Sequence, residues 1–266
     1  MTGDASTPES RPRVAAFRPA GRRATDAEAT LRSLGAEPVI DPMVTHQSTG
    51  EVPRTDSAYV IFTSVTGANM LEHWSPSPEQ TVCAIGETTA TALADVGIEV
   101  GIIPGEFSSH GLVSTLATQV DGERVEIARS NHGSNVLIDG LIDAGAYVHE
   151  TVLYEIIRPP NAGRSVELAA KGSLDAALFT SPLTVEHFIE AAVDLEIEAE
   201  VRHALDDICV AVIGKPTADH AQSLDVTVDL IADQADFERL ATQAIDQVSA
   251  ASGGLKSNQI QHSDDE

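Results

Sequence analysis

The stretch Phe62-Thr63-Ser64 closes a short apolar run, and Phe179-Thr180-Ser181 repeats it 117 residues later. A second pair of stretches behaves in the same way, since Ala84-Ile85-Gly86 is matched by Val212-Ile213-Gly214. Solenoid repeats have periods of about 20–50 residues, so a repeat of this length does not indicate a solenoid. It predicts a duplicated half-protein, with two similar lobes and a cleft between them.

The composition limits the class of partner. The 266 residues suffice for two compact domains, and 41 Asp and Glu against 16 Lys and Arg give a formal net charge of −25. Nucleic-acid binding needs a basic surface, so that class is excluded. The acidic residues are spread along the whole chain, which is typical of a surface that stays soluble in concentrated salt, where the screening length is about 3 Å at 1 M. An acidic face for a basic partner is the alternative.

The cysteines and the apolar runs indicate the cellular compartment of the protein. Cys83 and Cys209 both precede an Ile-Gly pair in apolar runs, so we expect two buried strand thiols rather than a disulfide. The chain opens without a basic-then-apolar leader, and no apolar run approaches 18 residues. These features predict a cytoplasmic protein that does not bind a membrane, and a monomer is compatible with all of them.

Short apolar runs alternate with stretches of helical period, the pattern of parallel βα units. The candidate strands are Val14–Phe17, Pro38–Ile40, Tyr59–Phe62, Val82–Ile85, Val100–Ile103, Val125–Ala128, Ala146–Val148, Ala176–Phe179, Ile208–Ile213 and Val226–Ile231. Ten strands divide evenly into two five-stranded, flavodoxin-like parallel sheets, so the fold class is α/β. Residues 1–12 and 250–266 are polar and aperiodic, and we expect disordered tails there.

The division into lobes need not follow the repeat, because Asp41–Glu51 and Glu150–Pro160 look like crossings between lobes. That division assigns 13–42 with 158–249 to the first lobe, 50–149 to the second, and 43–49 and 150–157 to interdomain linker strands. Each lobe then receives five strands, whereas a head-to-tail cut near residue 130 would give uneven sheets.

Polar residues follow several of the predicted strands, and ligands of open parallel sheets bind beyond the carboxyl ends of strands. The candidate binding residues are Arg18, Ser64, Gly86, Thr88, Thr89, Arg129, Ser181, Gly214, Lys215 and Thr217. The turns at Gly86 and Gly214 open helices whose free N–H groups and positive dipole ends suit a carboxylate or phosphate. For the hydroxyl residues, helix N-capping is the alternative.

The motifs of conventional catalysis are missing from the sequence. Gly214-Lys215-Pro216-Thr217 fails as a phosphate-binding loop, because Cys209 stands at the expected glycine and Pro216 at the expected hydroxyl. There is no Gly-x-Gly-x-x-Gly and no Gly-x-Ser-x-Gly. The nine histidines lack metal-ligand spacing. Tyr154, in the second crossing, is either a structural tyrosine or a proton donor.

Together these residues resemble the uroporphyrinogen-III synthase family. The matching stretches are Arg18-Pro19, Phe62-Thr63-Ser64, Ala84 to Ala90, Val152-Leu153-Tyr154-Glu155, Leu178 to Ser181 and Val212 to Ala218. They span about 12–248, nearly the whole folded region. The resemblance implies two flavodoxin-like lobes joined by a two-stranded linker, with the N-terminal segment belonging to the C-terminal lobe.

The resemblance also implies a cyclising hydro-lyase of tetrapyrrole (haem, sirohaem, cobalamin) biosynthesis. Its substrate would be linear hydroxymethylbilane, closed with loss of water and inversion of the last pyrrole ring through a spiro intermediate, with no metal and no organic cofactor. The unassisted bilane closes readily without inversion, so such a site has to select a geometry more than create reactivity.

Residue by residue, Tyr154 falls at the family's tyrosine, the favoured proton donor to the departing hydroxyl. Lys215-Pro216 departs from the family's Pro-Thr, so one hydroxyl is missing from the turn that carries Thr217, and a lysine there is suited to hold a substrate carboxylate. Arg18, Arg22, Arg129 and Lys215 sit at or near predicted binding edges and would offset the repulsion between an acidic protein and a carboxylate-rich substrate.

Two other classes of function remain open on the sequence. The first is a non-catalytic two-lobed binding or regulatory module that closes on an anionic small molecule, because a fold does not fix a function. The second is a small-molecule transferase acting at the Gly86 and Gly214 turns. Ligand protection without turnover would favour the binding module.

Overall fold

The computed structural model describes residues 11–71 and 73–260, without the side chains of 252–260, and the chain divides into two compact units. Unit 1 combines the residues up to Thr45 with those from Ile157 onward, and unit 2 is His46–Ile156. The sequence-based boundaries put the crossings at 43–49 and 150–157. The first βαβ segment therefore belongs to the same unit as the C-terminal part of the chain.

The elements follow one another in βα alternation. In chain order they are β1 (Arg13–Ala16), α1 (Arg22–Ser33), β2 (Glu37–Ile40), β3 (Thr45–Ser48), β4 (Tyr59–Phe62), α2 (Val65–Asn69), β5 (Thr81–Ala84), α3 (Glu87–Asp95), α4 (Ser109–Leu116), β6 (Arg124–Ser130), α5 (Val136–Asp143), β7 (Tyr147–Ile157), α6 (Arg164–Ala170), β8 (Ala176–Phe179), α7 (Pro182–Asp194), α8 (Glu198–Leu205), β9 (Cys209–Val212), α9 (Lys215–Ser223), β10 (Leu230–Ile231) and α10 (Phe237–Ile260).

Two five-stranded sheets carry these elements, in the orders β10-β9-β8-β1-β2 and β3-β7-β6-β4-β5. The pairs β1–β2, β1–β8, β8–β9 and β9–β10 are parallel, as are β4–β5, β4–β6 and β6–β7. The predicted α/β fold with two mostly parallel sheets is therefore confirmed.

The unit 1 sheet is buried on both faces, as parallel sheets are when helices cover each side. On one face Phe179 stacks with Phe17 at 4.5 Å between ring centroids and meets Phe188 at 5.5 Å. On the other face Leu178 belongs to a core cluster with Leu240 of α10. Successive residues of a strand point to opposite faces of the sheet. Because both faces are buried, the residues on each face must be apolar, which explains the continuous apolar runs in the sequence.

The fifth strand of unit 2 is not the predicted one. Val100–Ile103 was predicted as a strand, but the structure shows only an isolated bridge there, between Cys83 and Ile102. The fifth strand is instead β3, whose sequence Thr-His-Gln-Ser is mostly exposed. It falls within 43–49, which was predicted as an interdomain linker strand but not as a member of this sheet, because its pairing depends on backbone hydrogen bonds rather than on burial.

The strand β7 joins two segments that the sequence analysis had separated. It runs from Tyr147 to Ile157, so the predicted strand Ala146–Val148 and the predicted linker strand 150–157 form one element. Thr49, just beyond β3, donates from its backbone N–H to the Leu153 carbonyl at 3.1 Å.

Two C-terminal boundaries also differ from those predicted. Only Leu230–Ile231 of the predicted strand Val226–Ile231 pairs with β9. The helix α10 continues to Ile260, beyond residue 250 where a disordered tail was expected. Residues 1–10 and 261–266, which carry the rest of the predicted tails, lie outside the described residues.

A buried carboxylate fixes the end of β2 in unit 1. Asp41 is only 4% exposed and accepts hydrogen bonds from the Gly163 and Ser165 backbone N–H groups at 3.2 and 2.7 Å. The Ser165 hydroxyl donates to the same oxygen at 2.5 Å. Asp41 therefore caps the start of α6 and attaches the N-terminal βαβ segment to the C-terminal part of the unit.

A buried ion pair joins β6 to β7 in unit 2. Arg129 donates from Nε to Glu150 Oε1 at 2.7 Å and from Nη1 to the Ser134 carbonyl at 2.5 Å. A Cβ on Gly133 would collide with the Arg129 guanidinium, so the loop after β6 is packed directly on that group. The β6–β7 register shifts between Arg129 and Ser130, which places the ion pair at an irregular point of the sheet.

None of the helices in the described part of the chain is long and apolar enough to cross a membrane.

The two cysteines lie in strands, Cys83 in β5 and Cys209 in β9, and both are free and buried, which confirms the predicted strand thiols. Burial raises the pKa of the Cys83 thiol to about 12. Burial, followed by the charge of Asp229, raises the pKa of the Cys209 thiol to about 11. Both should react slowly, because the thiolate is the reactive form.

We therefore expect neither thiol to react with a disulfide reagent at pH 8 in the folded protein, and both to react promptly after unfolding in guanidinium. Absorbance of the released thiol measures this. Stoichiometric labelling of the folded protein within minutes would contradict the burial of both thiols.

Replacing Arg129 by Met should destabilise unit 2. Removing one partner of a buried ion pair costs about 3–5 kcal/mol, and because the Glu150 side chain keeps 31% of its exposure we expect about 2–3 kcal/mol. The control is Arg124→Met, which removes an exposed partner of Asp56 and should cost less than about 1 kcal/mol. Urea unfolding measures both, and equal midpoints for the two variants would show that the Arg129 pair is not structural.

Candidate functional site

Tyr154 and Ser64, which are 90 residues apart in the chain, meet in unit 2. The Tyr154 hydroxyl lies 3.0 Å from Ser64 Oγ, and the Tyr154 side chain is packed in the core with the residue only 5% exposed. Ser64 caps α2 by accepting the Gly67 N–H at 3.0 Å. The His46 ring meets the Tyr154 ring edge-on, 5.4 Å between centroids. The phenol is thus fixed in place at the carboxyl end of β4.

The Ser64 hydroxyl can support a change of protonation at Tyr154. Its oxygen accepts from Gly67, and its own proton remains available for the tyrosine oxygen. When Ser64 donates to Tyr154, the tyrosine proton is free for another acceptor, and the serine then stabilises the phenolate that is left. The pair is therefore suited to general acid–base chemistry.

The Gly86 turn separates its two threonines. Gly86 opens α3 in an extended conformation with no side-chain cap. Thr88 is exposed at the start of the helix, whereas Thr89 is 2% exposed and turned into unit 2. Phe107, which is 61% exposed, covers Gly86, since a Cβ there would lie 3.3 Å from its ring. Of the two threonines, only Thr88 presents its side chain at the surface.

The Gly214 turn in unit 1 repeats this geometry. Thr217 is 2% exposed and donates its N–H to the Gly214 carbonyl at 3.1 Å, as Thr89 does to Gly86 at the same distance. Packing within each unit accounts for both buried threonines, although the sequence analysis had proposed them as binding residues. Lys215 is exposed, and its Nζ pairs with Asp219 Oδ1 at 2.8 Å.

Ser181 begins α7 and fits the capping alternative. Its N–H donates to Thr184 Oγ1 at 3.2 Å, and the Thr184 hydroxyl donates to the Ser181 carbonyl at 2.6 Å. The neighbouring Thr180 donates its hydroxyl to the Phe17 carbonyl at 3.0 Å. The Thr180 and Thr184 hydroxyls are thus directed into local structure, and neither forms a pair like that of Ser64 and Tyr154.

The basic residues predicted at the binding edges differ in their partners. Arg129 is held by Glu150, Lys215 by Asp219, and Arg22 lies 3.6 Å from Asp26. Arg18, two residues beyond β1, has no ion pair or hydrogen bond from its guanidinium within 11–71 and 73–260, and its Nε is buried without a partner.

The surroundings of Arg18 are unusual for an arginine. Its guanidinium carbon lies 5.3 Å from the centroid of the Phe237 ring. Burial lowers the pKa of Arg18, the nearby charge of Arg23 lowers it further, and Asp236 acts in the opposite direction. Arg18 is therefore the basic residue of this set that is most available for an anion.

Phe107, Arg23 and Phe237 are not among the site residues predicted from the sequence. Phe107 is a lone aromatic in the loop 105–108. Such a residue indicates a functional role only weakly, since isolated exposed apolar residues are common. The adjacent pair Arg22-Arg23 in so acidic a chain was a stronger signal. No group of three His, Cys, Asp or Glu side chains is arranged to hold a metal ion in the parts of the chain that the structure describes.

Residues 25–242 match the family model described as uroporphyrinogen-III synthase HemD. A putative uroporphyrinogen-III synthase of Methanothermobacter thermautotrophicus is 33% identical over 140 residues, which are 51% of this chain and 54% of the relative. A protein of the same description from Archaeoglobus fulgidus is 30% identical over 170 residues, 63% of this chain and 70% of the relative. The chain spans little more than half the length of most curated relatives that it matches.

Solved structures support the fold. A mutant uroporphyrinogen III synthase of the extremely thermophilic bacterium Thermus thermophilus superposes with a TM-score of 0.59 and 19% identity, covering 90% of this chain and 99% of the other. The uroporphyrinogen-III synthetase of Helicobacter pylori gives 0.54 and 19%, covering 90% and 100%. Because the family model matches most of the sequence, this chain belongs to the uroporphyrinogen-III synthase family.

Proposed function

We propose that this chain is a uroporphyrinogen-III synthase, which closes hydroxymethylbilane to uroporphyrinogen III with loss of water and inversion of the last pyrrole ring. Membership of the family over residues 25–242 supports the reaction class. The observation that carries the proposal is the Tyr154 hydroxyl, held 3.0 Å from Ser64 at the carboxyl end of β4. The pair supplies the proton donor that the reaction needs.

In the proposed mechanism, Tyr154 gives its proton to the hydroxyl of the hydroxymethyl group, which leaves as water. The pyrrole nitrogen supplies the electrons, and the methylene carbon becomes electrophilic. The substituted carbon of the last ring attacks it and forms the spiro intermediate. The bond between this ring and its original methylene bridge then breaks, and the bridge carbon bonds to the unsubstituted carbon on the other side of the ring. The proton lost from that carbon on aromatisation returns to the phenolate, so the enzyme is regenerated.

The chemistry of the two hydroxyl groups suits this sequence of steps. A phenol is a weak acid that carries its proton at neutral pH, so it can act as a proton donor. The Ser64 hydroxyl, which accepts the Gly67 N–H, can donate to the phenolate that forms. Because the substrate closes readily by itself, the site gains most by holding one geometry, and a tyrosine packed in the core has little freedom to move.

We propose that the binding groups for the substrate carboxylates are Arg18, Lys215, Ser181, Thr88 and the helix N-termini at Gly86 and Gly214, while Ser64 binds the reacting end of the substrate through Tyr154. Arg18 is the best supported, because its guanidinium has no partner in the described residues. Lys215 would have to exchange Asp219 for a substrate carboxylate, which exposed pairs do at little cost. Arg129, which is buried on Glu150, supports the sheet instead.

We also propose a cytoplasmic monomer whose acidic surface is adapted to concentrated salt. The net charge of −25 is spread along the chain, and such a charge keeps a protein soluble while salt screens its self-repulsion. Activity should therefore be assayed in molar salt.

Purified protein given fresh hydroxymethylbilane in molar salt should direct the product to the inverted isomer. Chromatography of the oxidised porphyrins, with and without protein, gives the isomer ratio. An unchanged ratio from folded protein that the bilane nevertheless protects against heat would favour the non-catalytic binding module over the enzyme.

Tyr154→Phe should lower kcat by about 10²-fold, at the low end of the range for a lost general acid, because the substrate is intrinsically reactive. The ring keeps its packing, so the free energy of unfolding should fall by only about 1 kcal/mol. The control is Tyr147→Phe on the same strand, which is 70% exposed and should keep full activity. Wild-type kcat in Tyr154→Phe would remove this tyrosine from the mechanism.

A further inference from the structure

Tyr154 lies at an irregular point of β7. Arg129 of β6 is paired with Val152, but the next residue of β6, Ser130, is paired with Tyr154. Leu153 is therefore an extra residue of β7, and such an insertion is a β-bulge. Bulges are rare between parallel strands, and those next to active sites often re-aim a side chain.

The bulge decides the face of the sheet to which Tyr154 points. Successive residues of a regular strand point to opposite faces, yet Leu153 and Tyr154 belong to the same core cluster. A Cβ on Gly67 of α2 would lie 3.3 Å from Leu153 Cδ1 and 3.7 Å from Tyr154 Cε1, so both side chains lie against that helix. Without the extra residue, position 154 would point to the face opposite to Leu153, away from Ser64 at the start of α2.

Thr49 fixes the first half of the bulge. Its backbone N–H donates to the Leu153 carbonyl at 3.1 Å, and its hydroxyl donates to the Val152 carbonyl at 2.6 Å and lies 3.0 Å from that of Leu153. A bulge interrupts the regular ladder, so the carbonyls around it need other donors. Thr49 itself is exposed, so packing in the core does not account for these contacts.

Asn131 fixes the second half. It directly follows β6, and its backbone N–H donates to the Tyr154 carbonyl at 3.3 Å. Its side-chain Oδ1 accepts the Ile156 N–H at 2.9 Å. Asn131 is exposed as well. Two exposed polar residues thus hold the backbone on both sides of the one tyrosine whose hydroxyl meets Ser64.

We propose that Thr49 and Asn131 are positioning residues that hold the bulge at Leu153 and thereby aim the Tyr154 phenol at Ser64. Their effect on the reaction rests on the proposed function, in which Tyr154 is the proton donor. A proton donor has to be held within hydrogen-bond reach of the group that it protonates, so an error in the aim of the phenol slows the chemical step.

Thr49→Val and Asn131→Ala should each lower kcat about tenfold with little change in KM, because a displaced proton donor slows the reaction but does not weaken substrate binding. Thr49→Ser keeps the hydroxyl and should recover most of the rate. The matched control is Thr91→Val, since Thr91 is also exposed and donates to a backbone carbonyl, that of Glu87 within α3, at 2.9 Å. It should keep wild-type kcat.

A double-mutant cycle separates positioning from a general loss of structure. In a Tyr154→Phe background, neither Thr49→Val nor Asn131→Ala should lower kcat further, because the proton donor that they position is already absent.

Tyrosine labelled with ¹³C at Cζ provides a readout that needs no substrate. The chain has three tyrosines, and the spectrum of Tyr154→Phe identifies the signal of Tyr154. Ser64→Ala gives the position of this signal when the 3.0 Å contact between the two hydroxyl groups is lost. Thr49→Val and Asn131→Ala should move the Tyr154 signal towards that position, while the other two tyrosine signals stay in place.

Two results would overturn the inference. One is a Tyr154 signal at the wild-type position in both Thr49→Val and Asn131→Ala, with circular dichroism showing that the variants are folded. The other is a loss of kcat that multiplies with the loss in Tyr154→Phe. A displaced Tyr154 signal in a protein whose wild type forms no inverted isomer would support the positioning role while the proposed function fails.

Discussion

Burial of both faces of the central strands of each sheet is the constraint from which the placement of functional groups follows. Val60, Ile61 and Phe62 of β4 are all fully buried, so the first position at which a polar side chain can be solvated is beyond the strand end, where Ser64 lies. A polar group inside a strand needs partners of its own. Glu126 in β6 is such a case, because it is fully buried and bonds to Thr151 and, at 2.8 Å, to His149. Ser64 therefore lies beyond the end of β4, where the hydroxyl of Tyr154, a residue within β7, reaches it.

The two units share the geometry of their helix starts but differ in the residues near their strand ends. Thr89 and Thr217 make the same helix-start hydrogen bond in the two units, and both are buried. Two arginines near the ends of central strands differ in the same way: Arg129, within β6, is paired with Glu150, whereas Arg18, two residues beyond β1, has no such partner in the described residues. Positions related by the repeat can thus have different roles, one maintaining the sheet and the other remaining available to a ligand.

How far the sequence predicts this structure depends on which force decides each feature. Apolar runs predict strands such as Ala176–Phe179, because burial of a strand depends directly on its apolar residue types. The strand Thr45–Ser48 contains no apolar run and was predicted only as part of the linker strand 43–49, since its pairing in the sheet depends on backbone geometry. The candidate site behaves likewise. The sequence identified Tyr154 and Ser64 separately, but their contact depends on how β7 lies relative to β4. The ion pair between Arg129 and Glu150 could not be predicted either, because it depends on how β6 lies beside β7.

Arg18 gains importance from the acidity of the chain, because salt screens distant charges but not contacts. In about 1 M salt the screening length is about 3 Å, so neither the net charge of −25 nor distant arginines can repel or attract the substrate from afar. Only charges in contact with the ligand, and shielded from water, retain their effect. Arg18 meets the second condition in part, because its Nε is buried although the residue as a whole is half-buried, and it has no partner in the described residues to displace. A planar guanidinium fixes the orientation of a carboxylate better than a solvated lysine such as Lys215, and orientation is what distinguishes ring inversion from simple closure.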